Sequence, residues 1–386
     1  MSKALPHTPS FSMNLFSKQR LLGGISQDQF LAEYWQKKPL LVRQALPGFG
    51  NWLDRDGLCQ LAGQEDAESR LVQHKRGKWH LHHGPFAAED LDALPAKGWS
   101  LLVSGVNHLL EDGDALLNAF DFVPRARLDD LMVSFAPKGG GVGPHFDSYD
   151  VFLIQGLGKR RWEISDQTDL TLVPGAPLRI LQHFEPTQSW ELESGDMLYL
   201  PPKYAHNGVA LGDCMTWSVG FRSPTSQEIV NQFMNYLQDH LQVDGIYSDP
   251  GLKRPRHPGE IPSHLLEWAE ETIHKARWDK RAITDFLGLY LTEPKAHVFF
   301  DPPLQPLSPG RFAKAAAQKG VRLDSRSQLL FRGRQFFING ERLDVPTELV
   351  PAFREFANRR NLAPSAIQTN MLDVVYDLYL AGYVIL

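Results

Sequence analysis

The chain has 386 residues, of which 42% are hydrophobic and 22% charged, so a sizeable core can form and a disordered chain is excluded. Forty basic side chains against 45 acidic ones leave a formal charge of −5, which speaks against holding nucleic acid by broad phosphate neutralisation. Cys59 and Cys214 stand isolated, with no CxxC pair and no disulfide framework, as expected in a reducing compartment. The opening "MSKALPHTPSFSMNLFSKQRLLGG" has no apolar leader core and no long apolar run follows, so the expected location is the cytoplasm, away from any membrane.

No internal repeat is present. Gln27 to Tyr34 predicts a short amphipathic helix ending in "YWQKKPLLVRQ", where Pro39 starts an extended apolar run. Residues 99–106, "WSLLVSGV", read as a buried strand. From Arg127 to Arg222 the texture changes to short strands separated by Gly, Pro and Asp turns: "RLDDLMVSF", "YDVFLIQG", "RRWEIS", "SWELESGDMLYL" and "CMTWSVGFR". Strands at this spacing predict a β-sandwich or barrel such as a jelly roll.

After Pro224 the pattern turns helical. "TSQEIVNQFMNYLQDHL" opens with a Thr225 or Ser226 cap and Glu228, and residues 263–290 continue as helix. "FFDPPLQPLSPG" reads as a linker. Beyond it come a helix near 311–319, strands near 327–339 with an Asn339-Gly340 turn, and helices near 346–358 and 371–380. That order suits a winged-helix-like module. Its last helix carries two aspartates and no lysine or arginine, which argues for an interaction or structural role and against direct nucleic-acid binding.

The chemistry concentrates in "GGGVGPHFDSYDVFLIQGLGKRRWEI", residues 139–164. On an extended chain His145 and Asp147 project to one face and can converge on one ion. An HxD pair alone is weak, since about one is expected by chance at this histidine content. His206, 59 residues after Asp147 in "GDMLYLPPKYAHNG", would complete a two-histidine, one-carboxylate facial triad. Strand alternation sends Arg160 to one face and Lys159 and Arg161 to the other, where Arg160 could pair with a carboxylate. A solvated hairpin charge is the plain alternative for Arg160.

"GPHFDSYDVFLIQGLGKRRW", "GDMLYLPPKYAHNG", "SVGFR" and the early "YWQKKPLLVR" together resemble the Jumonji-C-type 2-oxoglutarate oxygenases, in particular their ribosomal oxygenase branch. The resemblance runs nearly end to end, by motif in the core and by pattern in the last eighty residues. It implies a mixed fold: a double-stranded β-helix (jelly roll, cupin-like JmjC) core, a helical dimerisation region and a C-terminal winged-helix module. The corresponding domains are 1–224, with an N-terminal α/β extension, then 225–300 and 307–386. It also implies Fe(II) held by His145, Asp147 and His206, with 2-oxoglutarate on Arg160, fifteen residues after His145, and O2 as co-reactant. Eukaryotic members generally carry Lys at the Arg160 position.

The implied reaction is hydroxylation at C3 of an arginine in large-subunit ribosomal protein sixteen, by a homodimer. Ser218 could add a hydrogen bond to the cosubstrate, and a satisfied strand serine serves equally. Tyr149 and Asp150 could face the substrate entrance, although turn and strand packing also accounts for them. Gly139 to Gly141 carry no Lys-Ser or Lys-Thr of a phosphate loop and suit close approach of backbone and peptide at the barrel mouth. His80, His82 and His83 lack a third partner and read as surface or structural. Rival readings are a ribosomal histidine hydroxylase, a lysine demethylase, and a non-enzymatic cupin-like adaptor.

Overall fold

Successive side chains of a strand point to opposite faces, and within residues 40–221 that rule separates an apolar core from a polar-lined interior. The computed structural model describes residues 18–386; the segment read above as lacking a leader lies outside them as far as residue 17. Two sheets form here. Their strands are β1 (Leu40–Val42), β2 (Glu68–Lys75), β3 (Lys78–His83), β4 (Trp99–Ser104), β5 (Leu128–Ala136) and β6 (His145–Phe146). They continue with β7 (Val151–Gln155), β8 (Arg160–Ser165), β9 (Gln188–Leu192), β10 (Met197–Leu200), β11 (Ala205–Ala210) and β12 (Cys214–Phe221).

The larger sheet runs β1-β10-β7-β12-β5-β4-β2-β3 and the smaller β6-β11-β8-β9. The sheets face each other through Val151, Leu153, Leu198 and Leu200 on one and Trp162, Ile164 and Leu192 on the other. This is the expected jelly roll.

The opposite face of the larger sheet carries the main core. On β12 Met215, Trp217, Val219 and Phe221 point into it, and on β5 Leu131, Val133 and Phe135 do the same. The helices Gln27–Glu33 and Arg55–Ala62 close this side with Phe30, Leu58 and Leu61. Each fully buried side chain of this size contributes about 1.5–3 kcal/mol. β7 is buried on both faces, which is why "VFLIQ" reads as an apolar run instead of an alternation.

Asp150 belongs to this frame and not to the substrate entrance. It is fully buried and accepts hydrogen bonds from the Tyr199 hydroxyl (2.6 Å) and Gln36 Nε2 (2.9 Å), with Arg127 Nη2 at 3.4 Å. Gln36 N–H in turn donates to Tyr199 Oη (2.8 Å), so "YWQKKPLLVR" is tied to the start of β7. The reason is local: residue 150 opens the strand on its buried side, and its three partners come from distant segments.

The described chain divides into two compact units that cut across the consecutive order expected. One takes the residues up to 223 with 294–327 and 363–386; the other takes 224–293 and 328–362. In the second, Thr225 caps the helix Ser226–His240 by accepting from the Glu228 N–H. The single helix expected over 263–290 is two, Ser263–Lys275 and Lys280–Thr292, because the Asp279 carboxylate accepts from the Ala282 N–H and caps a new start. The strands Gln335–Ile338 and Glu341–Leu343 join through Asn339 and Gly340, both at positive φ (50° and 83°), as the Asn-Gly pair predicts. Gly288 makes room for the Phe337 ring, which lies 2.3 Å from where a Cβ would stand.

In the first unit the proline-rich stretch 299–310 is packed down and is not a free linker. Phe300 meets Tyr383 edge-on, Arg326 pairs with Asp301 (2.8 Å), and Leu307 N–H donates to Tyr379 Oη (3.2 Å). Among the described residues, no helix is long and apolar enough to cross a membrane.

Asp150→Asn should lower stability to urea by about 1–3 kcal/mol, the cost of mismatching a buried hydrogen-bonded group. The substrate KM of the folded fraction should stay within about twofold; a large KM change at unaltered stability would return Asp150 to the entrance.

Candidate active site

The register of two short strands builds the centre of the site. β6 and β11 run antiparallel with His145 directly opposite His206, and the two imidazole centroids lie 4.2 Å apart. Asp147 brings Oδ2 to 3.6 Å from His206 Nε2. One donor atom from each of the three residues falls within 4.8 Å of the others. The structure therefore brings together the three residues singled out by spacing.

Both imidazoles are fixed in the tautomer a metal needs. A carbonyl oxygen only accepts, so His145 Nδ1–H donates to Gly143 O (2.8 Å) and His206 Nδ1–H to Tyr204 O (2.9 Å). Nε2 of each ring is left with its lone pair. Burial pushes the His206 pKa down to about 4; His145 acts in the same direction and Asp147 opposes it. His206 is thus neutral at physiological pH. Two imidazoles and a carboxylate are a fitting donor set for a divalent iron-type ion.

The triad opens on a cavity of about 460 Å³ lined by the inner faces of both sheets. Arg160 lies in its wall, 4% exposed and paired in register with Ala210 and Leu192. Its neighbours turn outward, Lys159 to Glu193 (2.6 Å) and Arg161 to Glu163 (3.5 Å). Among the described residues, Arg160 Nε and Nη2 are buried without a hydrogen-bond partner, and the guanidinium lies 5.7 Å over the Trp162 ring. An uncompensated buried cation costs several kcal/mol, so the wall is built for an anion. Arg160 is four residues from Ile164, the register partner of His206, or roughly 13 Å along the strand. A dicarboxylate that chelates at one end and pairs at the other fits this spacing.

Ser218 lies on the cavity face of β12, buried, beside Thr216, whose hydroxyl bonds Gln155 Oε1 (3.1 Å). Tyr149 lines the cavity and is 41% exposed, at its mouth. Gly140 and Gly141 allow the expected close approach of backbone. A Cβ on Gly140 would come within 2.1 Å of Trp99 O, and one on Gly141 within 2.5 Å of Gly208 O. Gly139 N–H also donates to Ala210 O (2.8 Å), pinning this loop to β11.

Sequence reasoning missed an acidic wall. Glu68, Asp129 and Asp130 line the same cavity together with Lys295. Lys295 Nζ lies 3.2 Å from Asp129 Oδ1 and 3.4 Å from Asp130 Oδ2, and Gly105 N–H donates to Asp130 Oδ2 (3.1 Å). Burial pushes the Asp130 carboxyl up, against the pull of Lys295. Burial alone would lower Lys295, but Asp130 and Asp129 hold it above its ordinary value. Two acids inside the apolar run "RLDDLMVSF" were the available signal; for Lys295 there was none.

Comparison with known proteins agrees with this architecture. Residues 115–229 match the JmjC domain model, and residues 275–384 match a ROXA-like winged helix, which begins ahead of the 307 expected. A jelly roll with this triad and matching sequence defines a JmjC-type oxygenase. The chain is 36% identical over 322 residues to the ribosomal protein uL16 3-hydroxylase of Escherichia coli, covering 82% of this chain and 85% of that one. The crystal structure of E. coli ycfD superposes with a TM-score of 0.82 at 32% identity, over 94% of this chain and 98% of that one. A structure of YcfD, a ribosomal oxygenase, with cobalt and 2-oxoglutarate gives 0.79 at 33%, over the same shares. The chain belongs to the ribosomal oxygenase family of JmjC proteins.

The lowered His206 pKa has a measurable consequence in metal-free protein. The unfolded chain takes up this proton near 6.5 and the folded chain only near 4, so His206 costs no stability above pH 6.5 and lowers it as pH falls toward 4. Urea unfolding at pH 7 and pH 4.5 should show a wild-type loss that shrinks in His206→Asn; an identical loss in both proteins would contradict this.

Proposed function

We propose that His145, Asp147 and His206 hold Fe(II), that Arg160 binds the distal carboxylate of 2-oxoglutarate, and that the substrate is an arginine of ribosomal protein uL16, hydroxylated at C3. The observation that carries the reading is the buried guanidinium of Arg160, unpaired among the described residues, in one cavity with the triad. The chain is a 2-oxoglutarate-dependent oxygenase. Iron, 2-oxoglutarate and O2, when bound, supply the oxidation, with the cosubstrate leaving as succinate and CO2.

The protein's own residues orient and exclude. The Gly143 and Tyr204 carbonyls aim both Nε2 atoms inward. Arg160 fixes one end of the cosubstrate by charge-assisted hydrogen bonds, and Trp162 covers its guanidinium. Ser218, in the cavity wall, adds a hydrogen bond to the cosubstrate, and Tyr149 at the mouth meets the incoming side chain, a reading supported by their shared cavity. Holding the target carbon beside the metal is the main service such a site performs.

The relative named uL16 3-hydroxylase supports the substrate, and so does the acidic wall. Glu68, Asp129 and Asp130 suit a permanently charged guanidinium better than a neutral imidazole, which favours arginine over the histidine alternative. The stretch 225–300 is proposed to serve dimerisation: Val230, Met234, Leu266 and Ile273 are exposed apolar residues on its helices. Residues 307–386 are proposed as the bulk of the winged-helix module, attached to the catalytic domain 1–224, and the cytoplasm as the place of action.

Incubation with Fe(II), 2-oxoglutarate and large-subunit proteins from a deletion strain should add about sixteen mass units to one uL16 peptide. His145→Ala should abolish the modification with the fold retained. Arg160→Gln should raise the 2-oxoglutarate KM by roughly 10–100-fold, the loss of a charge-assisted pair, and Arg160→Lys should restore part of it. Unmodified uL16 alongside another modified ribosomal protein would reject the substrate; full activity of His145→Ala would reject the metal site.

A further inference from the structure

Lys295 stands where a cationic substrate would be received, and no step above uses it. Its ammonium bridges Asp129 and Asp130, while its side chain keeps 33% exposure and so has a route to water. Asp129 has a second cation, Arg222, at 3.4 Å, whereas Asp130 is 14% exposed and has Lys295 as its ion-pair partner among the described residues. All of these groups line or adjoin the cavity of the His145–Asp147–His206 cluster. The carboxylate pair therefore accepts a side-chain cation at that place, and the chain itself supplies one.

Resting on the arginine reading, we infer that Lys295 is an internal competitor of the substrate's cationic side chain for Asp129 and Asp130. An entering side chain must exchange with an ammonium. A lysine offers the same group and gains nothing by the exchange. An arginine gains, because its planar fork donates two parallel hydrogen bonds to a carboxylate and is more weakly hydrated. The competitor weakens every cationic side chain by one common factor, so it raises the affinity that either must reach and leaves the preference for a guanidinium to the carboxylates. Lys suits the task because its four-carbon stem is flexible and its three donors are not locked into a fork.

The test compares three uL16-derived peptides, with Arg, Lys or Leu at the target position, binding anaerobically to the Fe(II)- and 2-oxoglutarate-loaded enzyme. Lys295→Met should tighten the Arg and Lys peptides by a similar factor, about fivefold or more, and leave the Leu peptide within about twofold. Lys295→Arg keeps the charge and should act oppositely, weakening both cationic peptides, so a poorly folded methionine variant does not end the test. Weaker Arg-peptide binding by Lys295→Met, or a Leu peptide that shifts as far as the Arg peptide, would overturn the proposal and make Lys295 a scaffold or a substrate contact. Arg-peptide binding indifferent to residue 295 overturns it alone. An Arg peptide that no form of the enzyme binds overturns the arginine reading along with it.

Discussion

The site depends on the antiparallel register between β6 and β11. β6 is only two residues long, His145–Phe146, and a slip of one position would send its imidazole to the other face. Contacts on either side hold the register: Ala205 opposite Phe146, Lys203 N–H to Asp147 O (2.8 Å), and Leu181 N–H to Pro144 O (2.8 Å). The opposite edge of β11 is laddered to β8 over six consecutive pairs, from Ala205–Ser165 to Ala210–Arg160. One ladder thus carries His206 of the triad near one end and Arg160 at the other. Whatever fixes the first also fixes the distance to the second.

A polar interior of this kind has an energetic cost that the rest of the fold must carry. Domains are stable by only about 5–15 kcal/mol, and a buried unpaired guanidinium alone consumes several. The larger sheet resolves the conflict by alternation. Along β12 the residues Thr216, Ser218 and Gly220 face the cavity, while Met215, Trp217, Val219 and Phe221 fill the aromatic core behind it. Phe30, Phe120, Phe152 and Tyr199 pack with ring centroids 4.7–5.6 Å apart in that core, so its stabilisation lies directly behind the groups that cost it.

Features written in local pattern were legible in the sequence. The strands of residues 127–222, the Thr225 cap and the Asn339-Gly340 turn all follow from periodicity or from one residue's backbone preference. The grouping of the triad with Arg160 in one cavity was legible because strand alternation and family spacing point the same way. Features decided by distant partners were not. Tyr149 and Asp150 look alike from sequence, yet one opens on the cavity and the other turns to Gln36, 114 residues away. The glycines before His145 announce a close approach, but only the fold says that Trp99 and Gly208 are the neighbours. The break after Lys275 rests on one capping carboxylate inside an otherwise helical pattern. The acidic wall needed β2 and β5 side by side with β4 between them, and Lys295 arrives from 165 residues beyond Asp130.

The cavity holds two buried charge systems that are treated in opposite ways, and acid–base chemistry explains the contrast. Among the described residues, Arg160 carries no counter-ion in the wall, and a guanidinium as a class needs none to stay charged. Its charge is preserved without help and is available to an incoming carboxylate. Asp130 has no such security. Burial drives its carboxyl toward the neutral acid, and the ammonium of Lys295 pulls the other way. A flexible ammonium does this while remaining exchangeable, whereas an arginine in its place would pair bidentately and resist displacement. The cation unpaired among the described residues on one side and the paired anion on the other are thus two ways of holding a buried charge in one cavity.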